Sequence, residues 1–190
     1  MTASRRGDLT PVPPEGLRRF FRSMVRPTFA ALGLGQGEVA DYVTDLLARF
    51  ARTDQLYRVR DARGRRLETI ADLLVELMRA WDSPAPYRYD REVDIRRHCG
   101  DYALFMSGLF RAHVEGGALL GYYLAEGERA YRTVAERLSL ALSGEAVVYR
   151  ALAAEFEQLS GALDYMRKVY MQPQLQAGPY GEALRRLGLN

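Results

Sequence analysis

The sequence predicts an all-α protein, a bundle of about six helices with a small β-hairpin inserted near its middle. Apolar residues recur at steps of three and four through most of the chain, which is the period of an amphipathic helix. Clusters of Pro and Gly separate these periodic segments. The chain has 190 residues, 48% of them apolar and 27% charged, as in an ordinary globular domain. We expect a flexible arm over residues 1–13 and a single helical domain over residues 14–190.

The first half of the chain predicts three helices and the hairpin. A helix begins at Pro14, and Pro27 inside it predicts a kink or break over residues 23–26, because proline cannot donate a backbone hydrogen bond. A regular amphipathic helix follows over residues 39–50. Two short apolar runs flank Asp-Ala-Arg-Gly, which predicts a β-hairpin over residues 56–70. Helical period resumes over residues 70–81 and ends at the proline-rich loop.

The second half predicts three longer helices. The first runs over about residues 90–113, with Asp90 as its N-cap. The next covers about residues 118–142, and the last covers about residues 145–171 before Pro173.

Cysteine content and hydropathy bear on the compartment. Cys99 is the only cysteine, so the chain can form neither an internal disulfide nor a cysteine-based zinc site. The first residues lack the apolar segment of a secretory signal, and no apolar run is long enough to cross a membrane. We therefore expect a cytoplasmic protein with no membrane partner.

Charge is unevenly distributed along the chain. Residues 1–66 contain 13 arginines and 7 acidic residues, whereas residues 67–190 contain 14 basic and 17 acidic residues. A helix followed by a basic hairpin resembles a winged DNA-binding unit, in which arginines contact phosphates. Acidic residues interleave with these arginines, so we consider a nucleic-acid partner unlikely. The residues that would bind it are Arg58, Arg60, Arg63, Arg65 and Arg66.

The most unusual segment is HCGDYALFMSGLFRAH, residues 98–113. It is apolar on nearly every side, which is typical of a central helix, yet it contains Asp101. A buried carboxylate without a partner costs several kcal/mol, so Asp101 must be paired, hydrogen-bonded or protonated. His98 and Arg97 lie within reach on the same helix.

Three interpretations of Asp101 stay open. In the first, it forms a buried polar link with His98 that fixes the register of the helix. In the second, the two residues form a catalytic or ligand-binding dyad, in which Asp101 orients His98 as a general base. In the third, Asp101 lies near an exposed edge and has no special role.

Tyrosines supply further candidates. The chain contains 12 of them, and such residues form either a core with a polar edge or the lining of a small-molecule pocket. The ligand-binding candidates that accompany Asp101 are Tyr102, Tyr122, Tyr123 and Arg129.

Other kinds of active site lack their required residues. Neither histidine follows a glutamate by three positions, so the pattern of a di-iron bundle is missing. The sequence has no P-loop and no Gly-x-Ser-x-Gly motif, and GLGQG does not have the spacing of a dinucleotide-binding loop. Apolar surroundings make Cys99 a poor nucleophile. We predict no metal site and no cofactor.

Three segments carry a resemblance to a known family: LYRVRDARGRRLETIADLL, RRHCGDYALFMSGLF and YYLAEGERAYRTVAERL. Together they resemble a family of uncharacterised bacterial proteins with the pattern R-H-x-G-D-x-x-L-F-x-x-G-x-F followed by Y-Y-x-x-x-G-x-x-A-Y. The match covers about residues 56–138, and Cys99 stands where that pattern has an aliphatic residue. The resemblance implies a bacterial, cytosolic protein and implies no catalytic activity.

The sequence therefore leaves the function open between three classes. The first is a helical protein without catalytic activity that acts through protein contacts, with self-association as the expected partner. The second is a small-molecule-binding or catalytic bundle that uses Asp101 and His98. The third is a nucleic-acid binder that uses the arginine-rich hairpin.

Overall fold

A computed structural model of the protein describes residues 14–35, 37–52, 58–61, 63–67, 69–81 and 85–171. The arm expected over residues 1–13 lies outside this part of the chain. Eight helices occur among the described residues: α1 (Pro14–Leu32), α2 (Glu38–Phe50), α3 (Ile70–Ala80), α4 (Ala85–Leu109), α5 (Arg111–Gly116), α6 (Leu120–Leu140), α7 (Ala146–Ala154) and α8 (Phe156–Tyr170).

The all-α prediction is confirmed, but the expected number of about six helices is wrong. The helix expected over residues 90–113 is interrupted at Phe110, where the amide of His113 bonds the Phe110 carbonyl and starts a new turn. The helix expected over residues 145–171 is interrupted at Glu155, whose carboxylate accepts a hydrogen bond from the Gly35 amide at 2.9 Å. The second interruption coincides with a contact to Gly35 that helical periodicity does not encode.

The predicted β-hairpin is also wrong among the described residues. The segment contains one isolated antiparallel bridge, between Arg60 and Arg66, and no strand in its described part. Asp61 organises the turn, because its Oδ1 accepts hydrogen bonds from the Arg63 and Arg65 amides. The Arg65 amide does most to lower the pKa of Asp61 below 3.8. The Asp61 side chain thus bonds backbone amides of the turn, which is an alternative to bonding them in a strand ladder.

Helix α1 continues through Pro27 to Leu32, so of the kink or break predicted over residues 23–26, the break does not occur. Pro27 lies on the exposed face of the helix, where water can bond the carbonyl that lacks its usual amide partner. The opposite face, which includes Phe21, Val25 and Phe29, is buried.

Helix α4 occupies the centre of the bundle and packs against α3, α6 and α8. Two glycines permit this close packing. A Cβ atom on Gly100 would lie 2.6 Å from the Tyr131 ring of α6, and one on Gly108 would lie 2.7 Å from Leu163 of α8. The segment of α4 that contains Asp101 is therefore enclosed by its neighbours, as its apolar character predicted.

No helix in the described part of the chain is both long enough and apolar enough to cross a membrane.

Candidate functional site

Asp101 lies in the core, with no exposed surface, at the junction of three helices. Its Oδ1 accepts hydrogen bonds from the hydroxyls of Tyr42 on α2, at 2.6 Å, and Tyr131 on α6, at 2.8 Å. Its Oδ2 accepts a hydrogen bond from Nη2 of Arg49 on α2, also at 2.8 Å. Both oxygens of the carboxyl group are thus bonded to side chains of neighbouring helices.

A second layer extends this cluster to α7. The Tyr149 hydroxyl donates to the Tyr42 hydroxyl at 3.3 Å, and the rings of these two tyrosines pack edge to face with centroids 5.3 Å apart. The Arg97 guanidinium lies 5.3 Å from the centre of the Tyr149 ring, in cation–π contact. We call Tyr42, Arg49, Asp101, Tyr131 and Tyr149 the Asp101 cluster.

Burial has the largest effect on the pKa values of Asp101 and of the three tyrosines in the Asp101 cluster. It raises the pKa of Asp101 above 3.8, against the opposing effects of Arg49 and the two tyrosine hydroxyls. Burial, followed by the neighbouring Asp101 charge, raises the pKa of Tyr42 and Tyr131 well above 10. Burial also raises the pKa of Tyr149 to about 12. These tyrosines consequently stay protonated at neutral pH and act as hydrogen-bond donors.

His98 is buried, but its ring packs against an aromatic side chain of the core. The His98 ring lies edge-on to Phe50 of α2, with centroids 5.7 Å apart. Phe50 in turn packs edge-on to Phe105 of α4. The structure thus places the two members of the predicted dyad in different surroundings: Asp101 in a polar cluster and His98 beside an aromatic pair.

This arrangement suits a structural role better than acid–base catalysis. In the predicted dyad the general base is His98, which must reach a proton of its substrate with an accepting nitrogen, yet this residue is only 1% exposed. Both oxygens of Asp101 already accept hydrogen bonds, and the residue has no exposed surface. Two members of the cluster reach the surface: Arg49, with 35% of its side chain exposed, and the half-buried Tyr42. A carboxylate bonded in this way joins helices.

The predicted ligand-binding residues form a separate group on α4 and α6. Tyr102 is buried and contacts the Tyr123 ring, with centroids 6.3 Å apart. Tyr122 is exposed and packs edge-on to Tyr123. Arg129 has 64% of its side chain exposed and pairs with Glu126 at 3.5 Å. The donors to Asp101 come instead from Tyr42, Arg49 and Tyr131.

Several arginines of the predicted nucleic-acid surface are engaged within the protein. Arg58 pairs with Asp94 of α4 at 2.8 Å. Arg65 pairs with Asp61 at 3.2 Å, and Arg60 donates to the Gly64 carbonyl at 2.9 Å. Arg63 and Arg66 lie at exposed positions of the same turn. Carboxylates thus offset the positive charge of Arg58 and Arg65, two of the five arginines that favoured a phosphate-binding surface.

Sequence reasoning missed Tyr42, Arg49, Tyr131 and Tyr149 as partners of Asp101. One signal was available: Tyr42 and Arg49 are seven residues apart, which is two helical turns, so they share a face of α2. Arg49 interrupts an otherwise apolar part of that face. Tyr131 gave no such signal, because it falls on the apolar stripe of its own helix.

Among the surface cavities of the described residues, two are of moderate size. One, of about 630 Å³, lies between α6 and α7; its floor includes Ala135 and Ala153, and Arg132 and Arg150 border it. The other, of about 410 Å³, lies at the α5–α6 corner and is lined in part by His113 and Tyr123. No group of three or more His, Cys, Asp or Glu side chains in the described part of the chain is placed to hold a metal ion.

Comparisons of the chain with protein-family models, curated proteins and solved structures found no match.

Proposed function

We propose that this protein is a helical scaffold that acts through protein–protein contacts, with Asp101 serving the fold rather than a reaction. The observation that carries the proposal is the complete burial of Asp101 together with the hydrogen bonding of both its oxygens. The residue with the strongest claim to catalysis gives both its oxygens to donors on α2 and α6 in a fully buried position. With the interior in this structural role, we expect the residues that carry the function to lie on the surface.

Large apolar side chains on that surface support contact with other proteins. Val75, Met78 and Trp81 project from α3, with 41%, 66% and 59% of their surfaces exposed. Leu140 and Leu142 are exposed at the end of α6, beside the cavity between α6 and α7. Clusters of exposed apolar residues are typical of protein interaction sites, whereas isolated ones are common on any surface.

The resemblance to a bacterial family fits the same proposal. Gly100 and Gly127 of its pattern lie in close helix contacts, and Asp101 bonds Tyr131 of the same pattern. Residues with these packing roles would give related proteins the same arrangement of helices. We propose on this basis that any shared property of such proteins lies in the bundle.

Native mass spectrometry of the purified chain over a range of concentrations tests the proposal. We expect the mass of the bare chain, with a dimer fraction that increases with concentration. Excess mass that survives gentle ionisation and is lost on denaturation would reveal a retained metabolite or metal. That result would overturn the proposal and return attention to a small-molecule site.

A further inference from the structure

The cavity between α6 and α7 is a groove with small side chains on its floor. The α6 residues that line it include Arg132, Ala135 and Ser139, which follow at steps of three and four and so share one face of the helix. Ala135 and Ala153 are buried at the floor, whereas Ala154 of α7 is exposed. Small side chains at a helix surface let another helix approach closely.

Two exposed leucines stand at one end of this groove. Leu140 lines it with 76% of its surface exposed, and Leu142 follows with 94% exposed. Leu142 has a φ of 55°, in the left-handed region that favours glycine, because α6 ends with the Ser143 amide bonded to the Leu138 carbonyl. The Leu142 side chain thus adds backbone strain and gains almost no packing within the chain. A cover over this end of the groove would remove both leucines from water.

The α6 edge of the groove carries a pair of opposite charges. Arg132 and Glu136 are four residues apart, so they lie one turn from each other on the same side of the helix. Arg132 also pairs with Glu128 of its own helix, whereas Glu136 pairs with no basic side chain of the described residues. A helix that lies along this edge in parallel with α6 would match it with an acidic residue followed by a basic one.

The sequence contains a segment with this pattern. The segment YGEALRRLG lies outside the described residues, but its spacing is informative. Tyr180, Leu184 and Leu187 follow at steps of four and three, which is the spacing of an apolar helical stripe. Glu182 and Arg186 are four residues apart on one side of that stripe, with the acidic residue first. The segment thus supplies both the apolar side chains and the charges that the groove would match.

We infer that the groove of one copy binds the YGEALRRLG segment, residues 180–188, of a second copy, parallel to α6 and with the apolar stripe on the floor. Arg186 then lies beside Glu136, and Glu182 lies beside Arg132. The inference rests on the proposed function and names the partner and the contact. Exchange of one segment between two copies is a route to a closed dimer, because each copy offers both surfaces.

Lengths along the chain favour a second copy over docking within one chain. Nine helical residues span about 13 Å, and α6 spans about 12 Å from Arg132 to Leu140. Helix α8 begins two residues after Ala154, at one end of the groove, and carries the chain about 22 Å from that point. The nine steps from Met171 to Tyr180 cover about 30 Å when fully extended. Little length therefore remains for the segment to pass around the bundle to its own groove.

Disulfide formation between two different full-length variants tests the contact. Glu136→Cys in one chain and Arg186→Cys in the other place thiols where the segment meets α6. We expect this mixture to form the heterodimer at least tenfold faster than either variant alone forms a homodimer. A mixture of Arg186→Cys with Met78→Cys is the control, since Met78 is 66% exposed on α3. Native Cys99 is buried, and burial raises its pKa to about 12, so the background is low.

The alternatives give different products in this experiment. If cross-linking followed exposure alone, the two mixtures would react at similar rates, and the inference would be overturned. If the segment docked in its own chain, the Glu136→Cys, Arg186→Cys double variant would form a monomeric disulfide at a rate independent of concentration, while the mixture stayed monomeric. That result would also overturn the inference, as would the absence of any cross-link.

Charge reversal supplies an independent measurement. Glu136→Arg places a positive charge opposite Arg186, and we expect the dissociation constant of the dimer to increase about fivefold or more in analytical ultracentrifugation. Arg186→Glu should weaken the dimer in the same way, and the double variant should recover most of the affinity. Arg19→Glu makes the same change in net charge at an exposed position of α1 and serves as the control. Failure of the double variant to recover contradicts the parallel register.

These results separate the inference from the proposed function. A dimer without the preference for the Glu136 and Arg186 thiols would overturn the inference and leave the protein-contact proposal intact. A monomer that retains a small molecule in native mass spectra would overturn both.

Discussion

Asp101 is the residue on which the stability of the core depends most directly. In Asp101→Asn, the amide oxygen can still accept from the tyrosine hydroxyls, but the amide nitrogen meets the Arg49 guanidinium, and both groups are donors. Removing one member of a buried pair leaves the other unsatisfied, and we expect a loss of about 3 kcal/mol in the free energy of unfolding. Urea denaturation monitored by circular dichroism measures it.

Asp94→Asn is the matched control for Asp101→Asn. Asp94 lies on the same helix and also pairs with an arginine, Arg58, at 2.8 Å, but both side chains of this pair are partly exposed. We expect a loss below about 1 kcal/mol there, since solvent weakens such pairs. Similar losses at the two positions would show that the Asp101 cluster is not a special source of stability.

The three tyrosines of the Asp101 cluster make stability sensitive to high pH. Their pKa values in the folded protein lie above the usual 10, and that of Tyr149 is about 12. The folded state therefore holds these protons while the unfolded chain releases them. Their contribution to the free energy of unfolding is complete below about pH 10 and is lost as pH rises through the folded pKa values. Tyrosinate absorbance should thus increase in step with helix loss.

Two phenylalanine variants test this coupling between tyrosine ionisation and unfolding. Tyr149→Phe removes a hydroxyl with a raised pKa, so we expect stability to fall less steeply above pH 10. Tyr165→Phe changes an exposed ring on α8 and should leave the pH profile as it is. A Tyr149→Phe profile that matches the parent chain would show that Tyr149 is not among the groups responsible.

At the level of residues, the sequence identified the centre of the candidate site but not its partners. Asp101 is conspicuous because a charged group in an apolar helix carries a large desolvation cost. Tyr42 and Tyr131 are 59 and 30 positions away from it along the chain, so only tertiary packing brings them together. The expected local pair with His98 follows from helical spacing, whereas in the fold His98 packs against Phe50.

At the level of elements, close helix packing makes two glycines of α6 respond in opposite ways. A Cβ atom on Gly127 would collide with the Phe156 ring and lie 2.8 Å from the Ala103 Cβ. We expect Gly127→Ala to cost about 2 kcal/mol, because neither neighbouring helix can yield freely. Gly121, in the first turn of the same helix, has no atom within 4 Å of that position, so Gly121→Ala should stabilise slightly, by less than about 0.5 kcal/mol, through helix propensity.

Thermal and urea unfolding of the two alanine variants give the comparison. The sign of the change in the free energy of unfolding serves as the control, because an effect of alanine on helix propensity alone would stabilise both variants. Stabilisation by Gly127→Ala would show that α6 and α8 are further apart than this packing requires.

Helical periodicity located the elements well, and it failed where tertiary contacts end a helix. The pattern over residues 39–50 and 70–81 agrees with α2 and α3 to within about a residue at each end. The interruption at Glu155 has no composition signal, because no Gly or Pro stands there and its carboxylate bonds Gly35, 120 positions earlier. In the predicted hairpin, Asp61 binds two amides of the turn, a local arrangement that alternation of apolar residues does not reveal.

At the scale of the whole molecule, the Asp101 cluster joins helices that are far apart in sequence. One carboxylate binds α2 and α6 directly, and the hydrogen bond from Tyr149 to Tyr42 brings in α7. Buried polar groups that are fully bonded fix the relative positions of the elements that carry them. We therefore expect the backbone amides of these helices to gain and lose protection from hydrogen exchange as a group.

Hydrogen exchange of Asp101→Asn under native conditions tests this group behaviour. Amides of α2, α6 and α7 should exchange faster together with those of α4, because the variant replaces the acceptor of Arg49 with a donor and so weakens the cluster through which these helices are joined. Gly127→Ala gives a contrast: its strain lies at the contact with Phe156 and Ala103, so its first effects belong to α4, α6 and α8. If faster exchange in Asp101→Asn stayed within α4, the carboxylate would be a local feature of one helix. Acceleration that reaches α2 and α7, beyond the contacts of Gly127, would instead establish it as the link that holds the bundle in register.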